Sequence, residues 1–203
     1  FVSASFAGQQ FAGLALDPCA RQLYYGGSKT QQIYRTSLDI PSLPAVPNSA
    51  FSSSDDVGQQ MHLDLENQHL YWIDQGSTNF WRAPLPPLSG AEVAVGTTLG
   101  DSYGFAIAGS VGDLFWTLGD SGGVTNSILR SRLESIDATE EIIVSGLDRP
   151  TGCWFDPALE KLYWLEIGGS LGLFRRCDAS GKNVETICEM PFSSSNFSLA
   201  PNR

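Results

Sequence analysis

One short aromatic motif recurs four times along this chain at nearly constant spacing. An apolar residue followed by two aromatic residues begins at positions 23, 70, 114 and 162, so that successive copies start 44 to 48 residues apart. Self-similarity at a period of ~40–50 residues predicts a fold assembled from repeated sheets. The four triplets are Leu23-Tyr24-Tyr25, Leu70-Tyr71-Trp72, Leu114-Phe115-Trp116 and Leu162-Tyr163-Trp164.

Each triplet is flanked by the same strand and turn signals. Before it lies a short apolar strand that ends in Asp, Pro or Gly, which are residues typical of chain reversals. After it come a third strand, which carries an arginine that we place in register across the copies, and then a fourth strand. These arginines are Arg35, Arg82, Arg130 and Arg175.

Such four-stranded units predict an all-β chain folded as a β-propeller of antiparallel blades. A sheet with two apolar faces cannot bury both alone, so neighbouring copies must stack, with the aromatic residues between them. The low charged fraction, 17%, together with 21 Gly and 11 Pro, is typical of short strands joined by tight turns. We expect one domain over residues 1–203 with blades at about 9–55, 58–98, 102–146 and 149–190.

Residues 1–6 and 194–201 are predicted to be single strands of two further, partial blades. Four full blades flanked by partial ones favour part of a larger ring. A closed four-bladed ring is the alternative, and in that case Cys19 and Cys153 could lie close together.

Two copies resemble a known repeat. Tyr71-Trp72-Ile73-Asp74 and Tyr163-Trp164-Leu165-Glu166, the latter followed by the third strand at 173–181, are similar to the YWTD repeat of the low-density lipoprotein receptor family. The resemblance implies a six-bladed ring, of which this chain would form a part. It also implies structural ion pairs inside the blades, between Asp74 and Arg82 and between Glu166 and Arg175. The first and third copies depart from the pattern, because the first has no acid after its triplet and the third has Thr117-Leu118 there.

The net charge of the chain limits the kinds of binding partner that we expect. A net charge of −10 argues against nucleic acid or an anionic membrane surface, since both require a basic face. No apolar run approaches the ~20 residues of a membrane-spanning helix, so direct membrane insertion is not expected. A basic protein partner fits the charge, and the alternative is that acidity only maintains solubility.

The cysteines and one asparagine are the residues that could indicate the cellular compartment of the protein. Cys177 and Cys188 flank the turn segment 178–183, so a disulfide across that hairpin is predicted, with two free thiols as the alternative. A disulfide would indicate an oxidising, extracellular environment. Asn196-Phe197-Ser198 is an acceptor pattern for N-linked sugar, although it falls on a predicted strand.

Catalytic patterns are scarce, and we predict no catalytic, cofactor or metal site. His62 and His69 have no third ligand at a metal-binding spacing, and Gly119-Asp120-Ser121-Gly122-Gly123 lacks the His and Asp context of a serine triad. Four residues come nearest to the metal ligands of propeller lactonases but lie beside turns, where they are expected to form the turn: Asp17, Asp64, Asn67 and Asp156.

The resemblance implies a non-enzymatic protein-interaction module of an extracellular or cell-surface protein, receptor-like or adhesive. We expect binding through the long loops Asp39–Asn48 and Gly119–Thr125, because loops vary on a rigid scaffold. One alternative is a structural building block that contacts neighbouring domains or subunits of a surface filament or matrix. A propeller hydrolase or lactonase is the other alternative.

Overall fold

The computed structural model describes residues 11–27, 32–39, 51–52, 57–74, 79–85, 93–97, 102–119 and 126–191. These ranges hold sixteen strands and one helical turn, α1 (Ile136–Thr139).

The strands group into four blades. The first blade has β1 (Phe11–Asp17), β2 (Gln22–Gly27), β3 (Gln32–Ser37) and β4 (Phe51–Ser52). The second has β5 (Val57–Asp64), β6 (His69–Asp74), β7 (Asn79–Pro84) and β8 (Val93–Thr97). The third has β9 (Ser102–Ala108), β10 (Asp113–Leu118), β11 (Ser127–Arg132) and β12 (Glu141–Ser145), and the fourth has β13 (Pro150–Asp156), β14 (Lys161–Glu166), β15 (Leu171–Asp178) and β16 (Glu185–Pro191).

Each blade is one antiparallel sheet in which neighbours along the chain pair side by side. This confirms the predicted all-β class with four-stranded blades of the propeller kind. The aromatic triplets lie on the second strands, as predicted, and the tryptophans among them are fully buried: Trp72, Trp116 and Trp164.

The chain divides into two compact units, Phe1–Thr97 and Thr98–Arg203. The first unit holds the first and second blades, and the second unit holds the third and fourth. That all four blades form one domain stays a prediction.

Every blade has two faces, because side chains alternate along a strand. We call the face with the middle triplet residue the front face and the face with the last triplet residue the back face. In the first unit, Ala15, Tyr24 and Ile33 on the front of the first blade pack against Met61 and Trp72 on the back of the second. In the second unit, the front of the third blade packs in the same way against the back of the fourth through Ala106, Phe115, Ile128, Cys153, Phe155 and Trp164. Burial of each such aromatic side chain contributes about 3 kcal/mol.

The turn between the first and second strands is built alike in all four blades. The residue just before the second strand has a positive φ, and its carbonyl accepts the N–H of the residue just after the third strand. In three blades a non-glycine residue adopts this left-handed conformation, and in the third blade a glycine does: Arg21, Gln68, Gly112 and Glu160.

The first strands of the third and fourth blades approach backbone to backbone. A Cβ on Gly104 in β9 would lie 2.7 Å from the Cα of Gly152 in β13, and Gly152 itself has φ +50° at a bulge between Thr151 and Cys153. Glycine at position 104 is therefore required for the two sheets to pack.

We predict that Gly104→Ala lowers the free energy of unfolding by about 2–4 kcal/mol, because the added methyl must displace backbone rather than a flexible side chain. Gly172→Ala is the matched control, since a Cβ there meets only carbonyl oxygens at 3.7 Å. The control should change stability by less than about 1 kcal/mol. Denaturant unfolding measures both, and equal effects would contradict the close approach.

Candidate functional site

The cavity of interest lies at the end of the fourth blade where β13 begins and β14 ends. It has a volume of about 260 Å³. Its wall combines the connection that enters β13, the β14–β15 loop and the outer strand β16. The lining residues, which define the edge cavity, are Asp148, Glu166, Gly169, Ser170, Leu171, Leu173 and Glu189.

Glu166 holds the base of the edge cavity together. Its buried carboxylate accepts hydrogen bonds from Trp164 Nε1 at 3.0 Å and Arg175 Nη1 at 2.7 Å through Oε1, and from the Asp148 N–H at 2.9 Å through Oε2. The Arg175 guanidinium also lies 5.8 Å from the centre of the Trp164 ring. Because Arg175 balances its charge, Glu166 acts as a structural anchor that fixes Asp148 beside β14.

The β14–β15 loop closes tightly around Asp148. The Asp148 carbonyl accepts the N–H groups of Ile167 at 3.1 Å and Gly168 at 3.0 Å. A Cβ at position 168 would lie 1.7 Å from Asp148 Oδ1. Glycine at this position therefore lets the Asp148 carboxylate lie across the loop at the cavity.

The edge cavity is acidic on one part of its wall and apolar on another. Asp148 and Glu189 form no ion pair with any residue that the structure describes, so their charges are not balanced there. Leu171 and Leu173 supply the apolar part. This combination suits a group with an aliphatic stem and a cationic end.

The strand register corrects one part of the arginine alignment. The residue paired with the middle triplet residue is Arg35, Arg82 or Arg130 in the first three blades, as expected. In the fourth blade it is Arg176, because Tyr163 pairs with Arg176 and Trp164 pairs with Arg175. Placing Arg175 in register was thus wrong by one residue, and Arg175 lies on the back face, where it reaches Glu166.

In three of the four blades the front-face arginine instead lies beside a tyrosine. Burial raises the pKa of Tyr24 and of Tyr71, while the nearby guanidinium groups of Arg35 and Arg82 act in the opposite direction. In the fourth blade Arg176 lies between Glu185, at 3.1 Å, and Tyr163, and these two partners raise the pKa of the guanidinium. Sequence reasoning missed these pairs, although in the first two blades the tyrosine and arginine lie eleven residues apart, from 24 to 35 and from 71 to 82.

The predicted pairing of Asp74 with Arg82 stays a prediction, because the side chain of Asp74 lies outside the described residues. The register places Arg82 opposite Tyr71, three residues before Asp74 on β6. In the third blade, which has no acid after its triplet, Arg130 pairs with Glu141 on β12, its Nε lying 2.7 Å from Oε1. Arg130 Nη1 also donates to the Ala179 carbonyl of the fourth blade at 3.4 Å.

The predicted disulfide between Cys177 and Cys188 is wrong, because both are free thiols. Cys188 pairs with Phe174, three residues before Cys177 on β15, which separates the two cysteines by ~10 Å along the strand. That exceeds the Cα separation that a disulfide spans. Cys177 is also buried, whereas Cys188 is exposed, and Cys19 and Cys153 are free as well.

The residues compared with lactonase ligands are engaged in turns. Asp17 Oδ1 accepts the N–H groups of Cys19 and Ala20, Asp64 binds both the N–H and the side chain of Asn67, and Asp156 Oδ1 accepts the N–H groups of Ala158 and Leu159. His69 packs beside Tyr71, with 6.1 Å between ring centres, and His62 is half-buried on β5. Within the described ranges, no group of three or more His, Cys, Asp or Glu side chains could hold a metal ion.

Several predicted features lie outside the described residues. They are the partial-blade strands 1–6 and 194–201, Asn196, residues 40–48 of the first long loop and residues 120–125 of the second. In the part of the chain that is described, no helix is long and apolar enough to cross a membrane.

The fold is shared with proteins of several kinds. The sequence matches no protein-family model. A chain of the nidogen/laminin complex superposes with a TM-score of 0.73 at 18% identity, over 91% of this chain and 66% of that one. TolB of Agrobacterium tumefaciens gives 0.66 at 14% identity over 89% and 62%, and a gluconolactonase of Xanthomonas campestris gives 0.64 at 12% over 91% and 63%. This chain spans just under two thirds of each of these proteins, and the similarity shows the fold alone.

We predict that removing Arg175 alone destabilises the protein more than removing it together with the charge of Glu166. Arg175→Met leaves a buried, unbalanced carboxylate, at a cost of about 3–5 kcal/mol, whereas Arg175→Met with Glu166→Gln leaves none. Arg176→Met is the matched control, because its ionic partner Glu185 is exposed and an exposed ion pair contributes little to stability. Chemical denaturation of the three variants and the unaltered protein measures the differences, and equal losses at 175 and 176 would contradict the anchor role of Glu166.

Thiol labelling tests the cysteine assignment. Burial, with the nearby Asp178 carboxylate, raises the pKa of Cys177 to about 12, and burial raises the pKa of Cys153 well above its ordinary range. Iodoacetamide at pH 8 should therefore modify Cys19 and Cys188 in the folded protein and all four cysteines after unfolding without reductant. Peptide mass mapping gives the sites, and a linked Cys177–Cys188 peptide would contradict the structure.

Proposed function

We propose that this chain is a non-enzymatic protein-interaction module that binds a basic segment of its partner at the edge cavity. The observation that carries the proposal is the pair of unbalanced carboxylates, Asp148 and Glu189, beside the apolar wall of Leu171 and Leu173. A lysine or arginine side chain fits such a wall, because its aliphatic stem packs on leucine while its charged end meets carboxylate.

Preorganisation supports binding at this position. Glu166 and the β14–β15 loop hold the backbone of Asp148 in place before any partner arrives. A binding group that is already fixed loses little conformational entropy on association. The net charge of −10 adds long-range attraction for a basic partner.

The likeness to a chain of the nidogen/laminin complex supports a binding role, since that structure is itself a complex between proteins. We extend the proposal to an extracellular or cell-surface setting on the same basis. The loops Asp39–Asn48 and Gly119–Thr125 remain a proposed second part of the binding surface. The likeness to a gluconolactonase makes lactone hydrolysis the competing function.

Short acetylated peptides with one central Arg, Lys or Glu, otherwise identical, are suitable probes. We predict that the Arg and Lys peptides bind weakly and the Glu peptide does not, and that Asp148→Asn with Glu189→Gln lowers the affinity at least about fivefold, a loss of ~1 kcal/mol. Affinity should also fall as salt is added, because the contact is exposed and electrostatic. NMR titration measures the affinity and maps the contacted residues.

Glu134→Gln is the control, because it removes an exposed charge of the same unit that does not line the cavity. Equal loss in Glu134→Gln and in the double variant would show only general charge attraction and would contradict the site. If the unaltered protein hydrolyses gluconolactone and the Asp148→Asn, Glu189→Gln variant retains that activity, the result would favour the competing function.

A further inference from the structure

A cationic side chain lies beside the edge cavity. Arg149 follows Asp148 directly in the chain and is exposed, and it is not itself part of the cavity wall. Its guanidinium forms no ion pair with any residue in the described ranges. The unbalanced carboxylates of Asp148 and Glu189 are therefore accompanied by one unbalanced positive charge on the neighbouring residue.

The backbone of Arg149 has an unfavourable conformation. Its φ is +51°, in the left-handed region, where a residue with a Cβ is less stable than glycine. Pro150 follows it, and a proline favours extended backbone at the residue before it. Two local preferences thus oppose the conformation that Arg149 adopts.

Contacts within the fourth blade impose this conformation. One residue before it, the Asp148 N–H donates to Glu166 Oε2 at 2.9 Å, and the Arg149 carbonyl itself accepts the N–H of Ile167 at 3.2 Å. One residue after it, Pro150 begins β13 and pairs with Glu166 on β14. Because the chain is fixed on both sides of Arg149, the direction in which the side chain leaves the backbone is fixed as well.

The position of Arg149 in the fold separates it from the other described residues of this kind. The other four non-glycine residues with positive φ lie in turns between consecutive strands of one blade: Arg21, Gln68, Glu160 and Asn183. Arg149 instead lies between the third and fourth blades, at the start of β13. Backbone strain that no turn within a blade requires is concentrated at functional sites in proteins, where it positions a side chain.

The charge of Arg149 changes which partner segment matches the edge cavity. A segment with only a basic side chain is attracted by Asp148 and Glu189, but it also brings a like charge close to Arg149, which opposes binding. A segment in which a carboxylate accompanies the basic side chain matches both signs of charge. Guanidinium groups bind carboxylates with two parallel hydrogen bonds, so Arg149 suits that second contact.

We propose that Arg149 determines the specificity of the edge cavity, and that the partner segment carries an acidic residue directly next to its basic one. Because Asp148 and Arg149 are consecutive, two consecutive partner residues of opposite charge span the same distance. This inference rests on the proposed function, since it names a second charge on the segment that binds there.

Four acetylated peptides that differ only in their two central residues test the inference. Two of them carry Arg-Asp or Asp-Arg, and Arg-Asn and Asn-Arg are their neutral counterparts. In the better of the two orders, the Asp peptide should bind the unaltered protein at least about fivefold more tightly than its Asn counterpart, a difference of ~1 kcal/mol. NMR titration measures the dissociation constants.

Arg149→Gly should remove the difference between the Asp and Asn peptides. The variant should fold, because glycine adopts a positive φ without strain, and thermal unfolding verifies this. Arg149→Asn should give the same binding result and replaces the glycine variant if that variant does not fold, since asparagine also tolerates the left-handed region.

Arg21→Gly is the matched control, because it removes the same charge from a residue with φ +52° in the first unit, which contributes no residue to the cavity wall. It should leave the fivefold difference unchanged. Equal binding of the Asp and Asn peptides to the unaltered protein, or a difference that persists in Arg149→Gly, would overturn this inference and leave the proposed function intact. Loss of the difference in Arg21→Gly would also overturn it, and binding of none of the four peptides would overturn both proposals.

Discussion

The structure depends on the packing of one blade's front face against the next blade's back face. A four-stranded sheet with aromatic residues on both faces exposes too much apolar surface to be stable alone, and each unit removes part of it from water by pairing two sheets. The contact is close enough near the first strands that Gly104 and Gly152 meet backbone to backbone. The turns between strands, the third-strand arginines and the edge cavity are all parts of these paired sheets.

The edge cavity shows how a repeat acquires a local site. All four blades share the same strand order and turn, but only the fourth has consecutive arginines that serve both faces, Arg176 toward Tyr163 and Arg175 toward Glu166. The additional back-face arginine balances a buried carboxylate, and that carboxylate fixes the backbone of Asp148. A difference of one residue in the third strand thereby supports a preorganised acidic surface at one end of the blade.

The sequence predicted the repeated features well because they follow from local patterns. The triplets, their burial and the Asp-containing turns come from alternation and turn chemistry, which a single copy already displays. The arginine position in the fourth blade could not be predicted, because the spacing from the middle triplet residue to the arginine differs between blades and two adjacent arginines, Arg175 and Arg176, compete for one register. The disulfide prediction failed for a similar reason, since the strand β16 begins well after the turn and carries Cys188 past Cys177. The edge cavity joins residues 148, 166 and 189, whose proximity only the folded blade reveals.

If the packing of paired blades is the source of stability, backbone amides should be protected most from hydrogen exchange in the strands that this packing buries. Native-state hydrogen exchange, followed amide by amide in the second unit, measures this directly. The account predicts the slowest exchange in β10 and β14, where Trp116 and Trp164 are fully buried, and much faster exchange in the outer strand β16, whose side chains are almost all exposed. Exchange in β14 as fast as in β16 would contradict the claim that face-to-face packing of the blades holds this fold together.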